Sequence, residues 1–291
     1  MQDKQRKLLK IKLSRLLVRT LRTTILTLFV CGCLVSYFSY QWLKEIGVFH
    51  LQQTQIDFIK NYQSRDNTVF YDIHGKKFGE LFRKYHIYKT YEQIPENLRN
   101  AIVAIEDRRF FQHPGYDVYG IGRIFYEFLV SAGHVRHGAS TITQQVVRNL
   151  ILSREKSVRR KLLEIAYAIE LEKQLSKEKI FEIYANVLFL GNGAYGVGAA
   201  ARRYFGKDLQ DLSYHEAALI AGLFQSPSRL NPARYPEKAK MRQQKVLQAL
   251  YEVGYLTKED ALAFNLKKLS YRSYKPLNQD VAPYFLDYAQ Q

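Results

Sequence analysis

A mainly α-helical domain with a small β element, preceded by one transmembrane helix, is the fold class that this 291-residue sequence predicts. Three observations carry the prediction. Residues 23–43 hold no charged side chain and are rich in Leu, Val, Phe and Tyr, and a bilayer core takes roughly 20 such residues as a helix. Downstream, apolar residues recur at helical spacing in several runs that open on capping signals. Alternation of β-formers about a turn is confined to one stretch, Thr68 to Tyr88.

The N-terminal residues 1–22 are a basic tail. Lys4, Arg6, Lys7, Lys10, Lys12, Arg15, Arg19 and Arg22 stand against Asp3 alone, a bias that keeps the tail in the cytoplasm and sends the rest outward. Trp42, the only tryptophan, closes the span at 23–43, where an amphipathic ring prefers the interface. A cleaved signal peptide would have a shorter apolar region and small residues at its cleavage site; bulky Gln41-Trp42-Leu43-Lys44 favours an uncleaved anchor. Residues 44–66 are polar and mixed and read as a stalk. Thr68 to Ile73 then predicts a strand, His74-Gly75 a turn, and Phe78 to Tyr88 a returning strand.

Helices follow. Pro95 can start one whose stripe is Leu98, Ile102 and Ile105. Val158 to Leu190 is helical with a break near Ser176. Ser213-Tyr214-His215-Glu216 is a capping box ahead of Ala217 to Phe224. Three prolines make Gln225 to Pro236 an extended loop. Arg242 to Tyr255 returns to helix, and Thr257 can cap another. The exported domain is expected over 67–255, followed by a C-terminal helix and linker-like tail over 256–291.

The net charge is +17, of which the tail supplies +7. The remaining excess suits a phosphate-bearing substrate or anionic lipid; export makes nucleic acid an unsuitable partner. Cys31 and Cys33 both lie in the apolar span, so the exported part has neither disulfide nor thiolate metal site.

Three short segments carry chemistry. Glu106-Asp107-Arg108-Arg109 ends the helix that follows Pro95. It reads either as a solvated helix end or as a general base, Glu106, whose pKa the flanking Phe110 and Phe111 could raise. His113, before Pro114-Gly115, reads first as a satisfied structural histidine. Thr141-Ile142-Thr143-Gln144 fits a capping box, with Gly138 upstream and Arg148 one turn on; a helix start offers N–H groups to phosphate. On the next helix Glu164 shares a face with Arg160 and Lys161. That is either a surface ion-pair array or a site for a leaving pyrophosphate, which needs cations more than a proton. A carboxylate there could also hold a divalent ion, Mg or Mn, bridging phosphate oxygens; no other cofactor is indicated.

Five blocks, in order, are those of a known family: Glu106-Asp107-x-x-Phe110-x-x-His113-x-Gly115; Gly138-x-Ser140-Thr141-Ile142-Thr143-Gln144-Gln145; Arg160-Lys161-x-x-Glu164; Lys179 to Asn186 with Gly191 and Tyr195-Gly196-Val197; and Glu216-Ala217-Ala218-x-x-Ala221-Gly222-Leu223 with Pro227 and Asn231-Pro232. From Thr68 to Tyr255 the chain resembles the peptidoglycan glycosyltransferase (transglycosylase) family, the N-terminal half of class A penicillin-binding proteins. The resemblance implies a lysozyme-like fold and polymerisation of lipid II into β-1,4 glycan strands. It implies Glu106 as the catalytic base and Glu164, with Arg160 and Lys161, at the donor's pyrophosphate. Ser140, Thr141, Gln144 and Arg148 would line the donor site, and Asp107, Phe110, His113 and Lys156 would also serve substrate binding. Arg148 stands where many members have lysine, which keeps the charge and changes its geometry.

The expected location is the bacterial cytoplasmic membrane, single-pass, with the N-terminus inside and the catalytic domain on the outer face. Partners would be lipid II, lipid-linked glycan, the membrane, and cell-wall synthesis proteins including a separate transpeptidase. Ala282-Pro283-Tyr284-Phe285-Leu286 is similar to the segment leading into a transpeptidase domain, yet no Ser-x-Asn or Lys-Thr-Gly occurs in the chain. The expectation is a polymerase half without a transpeptidase half. Val118 to Val130, apolar and interrupted by Arg123 and Glu127, is too short to span a bilayer; Phe125 and Phe128 would sit on a membrane-dipping surface, with a buried helix as the alternative. Two rival functions stay open: a lysozyme-like or lytic glycan-cleaving enzyme, and a non-catalytic cell-wall scaffold.

Overall fold

The structure, a computed structural model, describes residues 2–62, 68–81, 84–130, 140–153 and 155–271. The chain divides into two units after Leu51.

The first unit is dominated by one helix, α1 (Gln2–Glu45). Its part from Arg19 to Glu45 is long and apolar enough to cross a membrane. The hydroxyls of Thr24 and Thr27 donate to carbonyls one turn back, at 2.9 and 2.8 Å, so these polar groups are satisfied within the helix, as a lipid environment demands.

The second unit begins with α2 (Gln53–Lys60), which corrects the reading of 44–66 as a stalk. Ile56 and Ile59 are buried. The Gln52 N–H donates to the Tyr167 hydroxyl at 3.0 Å, and Gln53 and Lys60 both donate to Gln174 Oε1 at 3.2 Å. An i, i+3 apolar pair in a polar segment was enough to dock it.

Strand β1 (Thr68–Tyr71) pairs antiparallel with β2 (Lys77–Leu81), Thr68 opposite Leu81, across the turn at His74-Gly75. The returning strand is shorter than expected. After Leu81 the chain leaves this sheet, and β3 (Tyr85–His86) joins a second one, parallel to β5 (Ala194–Tyr195), which in turn pairs antiparallel with β4 (Phe189–Gly191). The β4–β5 hairpin lies where helix was expected to run out. Its turn residues Asn192 and Gly193 have φ +49° and +75°, the left-handed backbone that a tight hairpin needs.

The rest is helical: α3 (Glu96–Glu106), α4 (Val118–Val130), α5 (Ile142–Leu150), α6 (Val158–Gln174), α7 (Lys177–Val187), α8 (Gly196–Phe205), α9 (Tyr214–Leu223), α10 (Pro236–Val253) and α11 (Lys258–Leu266). The expected signals operate. Pro95 precedes α3, Ser176 caps α7 at the predicted break, Ser213 and Glu216 close a capping box on α9, and Thr257 caps α11. The fold is mainly α with two small sheets.

Two packings place the site. Helix α5 lies against both α6 and α7, while α3, α9 and α10 pack on one another. Every residue of α9 from Glu216 to Leu223 is buried, four of them Ala or Gly, so neighbours approach closely. A Cβ on Gly222 would lie 2.9 Å from Arg242 Cγ, so glycine there is what lets α10 cross with Arg242 against α9. In α4, Val118, Tyr119, Tyr126 and Val130 are exposed; the side chains of Phe125 and Phe128, with Gly138, Ala139 and Ala282–Leu286, lie outside the described residues.

Candidate active site

The second unit holds a cleft of about 1560 Å³. Glu106 and Asp107 line it beside Ser140, Thr141, Gln145, Arg148 and Arg242, with Arg108, Arg109, Arg123, Lys245 and Lys258 adding positive charge.

Glu106 is the last residue of α3, where the apolar stripe ends. Its side chain is 11% exposed, so it is not a solvated helix end. Oε2 accepts from Gln145 Nε2 at 3.1 Å, and Oε1 from the Arg242 guanidinium at 3.3 Å. Burial pushes its pKa above the ordinary carboxylate value; the Gln145 hydrogen bond and the charges of Arg242 and Arg148 oppose that, and Asp107 adds to it. A carboxylate near the cleft, poorly solvated and more basic than usual, has the properties of a general base. Arg242 and Gln145 were not singled out from sequence. Gln145 lay in a motif without a role. Arg242 had no signal, because only the tight α9–α10 crossing brings it to Glu106.

Asp107 does something else. Its carboxylate is buried, takes the His113 Nε2–H at 2.9 Å and accepts from the Ile142 N–H at 3.0 Å. The start of α5, offered to phosphate on sequence, is thus already met by the protein's own anion, a favourable pairing with the helix dipole. His113 Nδ1 accepts from the Gly115 N–H at 3.2 Å, so both ring nitrogens are committed and the structural reading of this histidine fits. Phe110 is fully buried among Phe111, His113 and Phe181, with Lys177 over its ring at 4.5 Å; it packs rather than lines the cleft.

The third segment assembles with the second. Glu164 is completely buried. Arg160 donates to Oε2 at 2.5 Å and Lys161 to Oε1 at 2.7 Å. Lys161 Nζ also donates to Ser140 Oγ at 2.9 Å and to Gln144 Oε1 at 2.8 Å, which uses all three of its N–H groups. Thr141 caps α5 through the Gln144 N–H, and its hydroxyl donates to the Gly115 carbonyl at 2.8 Å. The capping box is incomplete, because the Gln144 amide turns away from Thr141 and donates to the same Gly115 carbonyl at 3.2 Å. Consecutive residues of α5 therefore serve different carboxylates: Gln144 reaches the Glu164 cluster and Gln145 reaches Glu106. Arg148 is half-buried and lines the cleft on the Glu106 side. Lys156 is exposed, with no hydrogen bond or ion pair among the described residues, and does not join the cluster.

Glu164 is occupied by cations of the protein itself. Each of its oxygens already takes a cationic N–H.

Gly115 is the hinge of this arrangement. Its φ is +91°, and a Cβ would sit 2.7 Å from the Ala168 carbonyl oxygen on α6. Gly115→Ala should cost about 2 kcal/mol through left-handed strain and the clash and loosen the two hydrogen bonds at its carbonyl. A chemical-denaturation midpoint equal to the parent's would show that α6 yields freely here.

A family model described as transglycosylase matches residues 74–251. Penicillin-binding protein 1A of Vibrio cholerae is 46% identical over 186 residues, 64% of this chain and 22% of that protein. The Neisseria lactamica protein of that name is 43% identical over 202 residues, 69% of this chain and 25% of that protein. The chain thus spans about a quarter of the length of these relatives. A crystal structure of penicillin-binding protein 1A from Haemophilus influenzae aligns over 79% of this chain and 24% of its own, with a TM-score of 0.45 and 23% identity.

Proposed function

The chain belongs to the transglycosylase family, and on that premise we propose that it is a membrane-anchored peptidoglycan glycosyltransferase that polymerises lipid II into β-1,4 glycan. The observation that carries this reading is the pairing, through one helix, of a desolvated carboxylate at the cleft wall with a second carboxylate clamped by two cations. Glu106 takes the proton of the acceptor's GlcNAc 4-hydroxyl as that oxygen bonds to C1 of the donor's MurNAc. The C1–O bond to undecaprenyl pyrophosphate breaks on the opposite side, and the configuration at C1 inverts. The leaving group departs as an anion and needs fixed positive charge.

Lys161 and Arg160 outnumber Glu164 by one charge, so the cluster is net positive beside Ser140 and Thr141 on the cleft wall. A pyrophosphate oxygen takes the place of Ser140 Oγ at Lys161, freeing that hydroxyl to donate in turn. Asp107, on the wall, and His113 behind it act by fixing the start of α5. The apolar part of α1 anchors the enzyme beside its lipid-linked substrate, with the catalytic unit outside the cytoplasmic membrane.

The test is turnover of lipid II by the purified full chain in detergent. Glycan strands and released undecaprenyl pyrophosphate are expected without a partner protein. Because a base works only when ionised and burial raises the Glu106 pKa, the rate should fall on the acid side at a pH above that of an ordinary carboxylate. Cleavage of preformed glycan with lipid II left intact would instead mark a hydrolase.

A further inference from the structure

We propose that Tyr184 is a positioning residue for Glu106: its buried hydroxyl fixes the Gln145 amide so that the amide N–H, not the amide carbonyl, faces the carboxylate. The inference rests on Glu106 as the base and adds to it a residue of α7 that does not line the cleft.

Hydrogen-bond polarity decides which way the amide must turn. Gln145 lies between two groups, with Nε2 at 3.1 Å from Glu106 Oε2 and Oε1 at 3.3 Å from the Tyr184 hydroxyl. An ionised carboxylate only accepts, whereas a primary amide offers a donor at one end and an acceptor at the other. Turned the wrong way, the amide would set its own oxygen against Glu106. A group that donates from behind removes that alternative, and a phenol held neutral does so. Tyr184 is fully buried, and its ring is stacked on Phe224 with centroids 4.8 Å apart and planes 14° apart, so it cannot swing aside. Burial pushes the phenol well above its usual pKa, and the nearby Glu106 charge adds to that.

The other charged groups facing Glu106 do not have this ambiguity. Arg242 from α10 and Arg148 from α5 present only donors, and Asp107, next in sequence, presents only acceptors. Among these described neighbours Gln145 alone can face Glu106 the right way or the wrong way, and Tyr184 is the group placed to decide.

The experiment follows the Glu106 carboxyl titration by carbon-13 NMR in glutamate-labelled full chain, beside the pH profile of glycan synthesis. Tyr184→Phe should move both the titration and the acid limb of kcat upward by roughly half to one pH unit, the loss of one modest hydrogen bond to the charged form. The rate at the old acid limb falls several-fold and KM for lipid II stays put. Gln145→Met should shift the titration at least as far, and in that background Tyr184→Phe should add nothing. Placing 3,5-difluorotyrosine at position 184, a stronger donor of nearly the same shape, should move the titration down; it decides the matter if the phenylalanine variant does not fold.

A Tyr184→Phe protein that melts lower while its Glu106 titration and acid limb stay in place would overturn the proposal and leave Tyr184 as packing. So would a difluorotyrosine protein whose titration does not move. The titration is read without turnover, so a failure of Glu106 as the base, seen as activity retained in Glu106→Gln, is a separate result.

Discussion

Glu106→Gln is expected to lose glycan synthesis by about 10²-fold or more in a protein that melts no lower than the parent at neutral pH. The amide matches the carboxylate in size, so packing at the end of α3 is kept, but it cannot accept the acceptor hydroxyl's proton. The stability half follows from linkage. Burial raises the folded-state pKa of Glu106 above its unfolded value. Its contribution to stability is then greatest below the unfolded pKa and is lost as pH rises through the folded one. At neutral pH the ionised group is a burden that glutamine removes, offset in part because Arg242 loses a partner while keeping its hydrogen bond to the Gly222 carbonyl. The gain in melting temperature should disappear in acid. Near-parental turnover of lipid II by this variant would remove Glu106 from the mechanism.

Glu164→Gln should behave in the opposite way, losing both activity and stability. This carboxylate is completely buried and holds Arg160 and Lys161 at once. Removing the charge leaves two cations facing each other without their counter-ion. Stripping one side of a buried ion pair costs about 3–5 kcal/mol. Lys161 is 39% exposed and can turn toward water, so the lower end, about 3 kcal/mol, is expected. For a domain of this size that is a fall of roughly 6–12 °C in melting temperature. Calorimetry of the two variants side by side separates the roles: a Glu164→Gln protein as stable as Glu106→Gln would mean that the cations, not the carboxylate, hold this cluster together.

Much of this was legible in the residues. Periodicity locates α6, and periodicity with caps locates α3, α7, α9 and α11, because Pro95, Ser176, Ser213 and Thr257 act locally, within one turn of the helices they start. The cluster of Arg160, Lys161 and Glu164 was legible for the same reason, since Glu164 lies at i+4 from Arg160 and i+3 from Lys161 on one helix. What depended on distant contacts was not. Asp107 at the start of α5 joins residues 35 apart in sequence, and Arg242 at Glu106 joins residues 136 apart. Neither pairing leaves a local trace. The docking of α2 and the diversion of β3 into a second sheet escaped likewise, since each is decided by a partner more than 90 residues away.

The adjacency of Gln144 and Gln145 bears on how the sequence can change length. Neighbouring side chains on a helix point about 100° apart, and here that angle is the interval between the two carboxylates they serve. One residue inserted or deleted between Thr141 and Gln144 would rotate both glutamines off their targets together. Neither half of the reaction could then be repaired alone by a second change nearby. The first turn of α5 is thus closed to insertions and deletions, and variation there is confined to substitution.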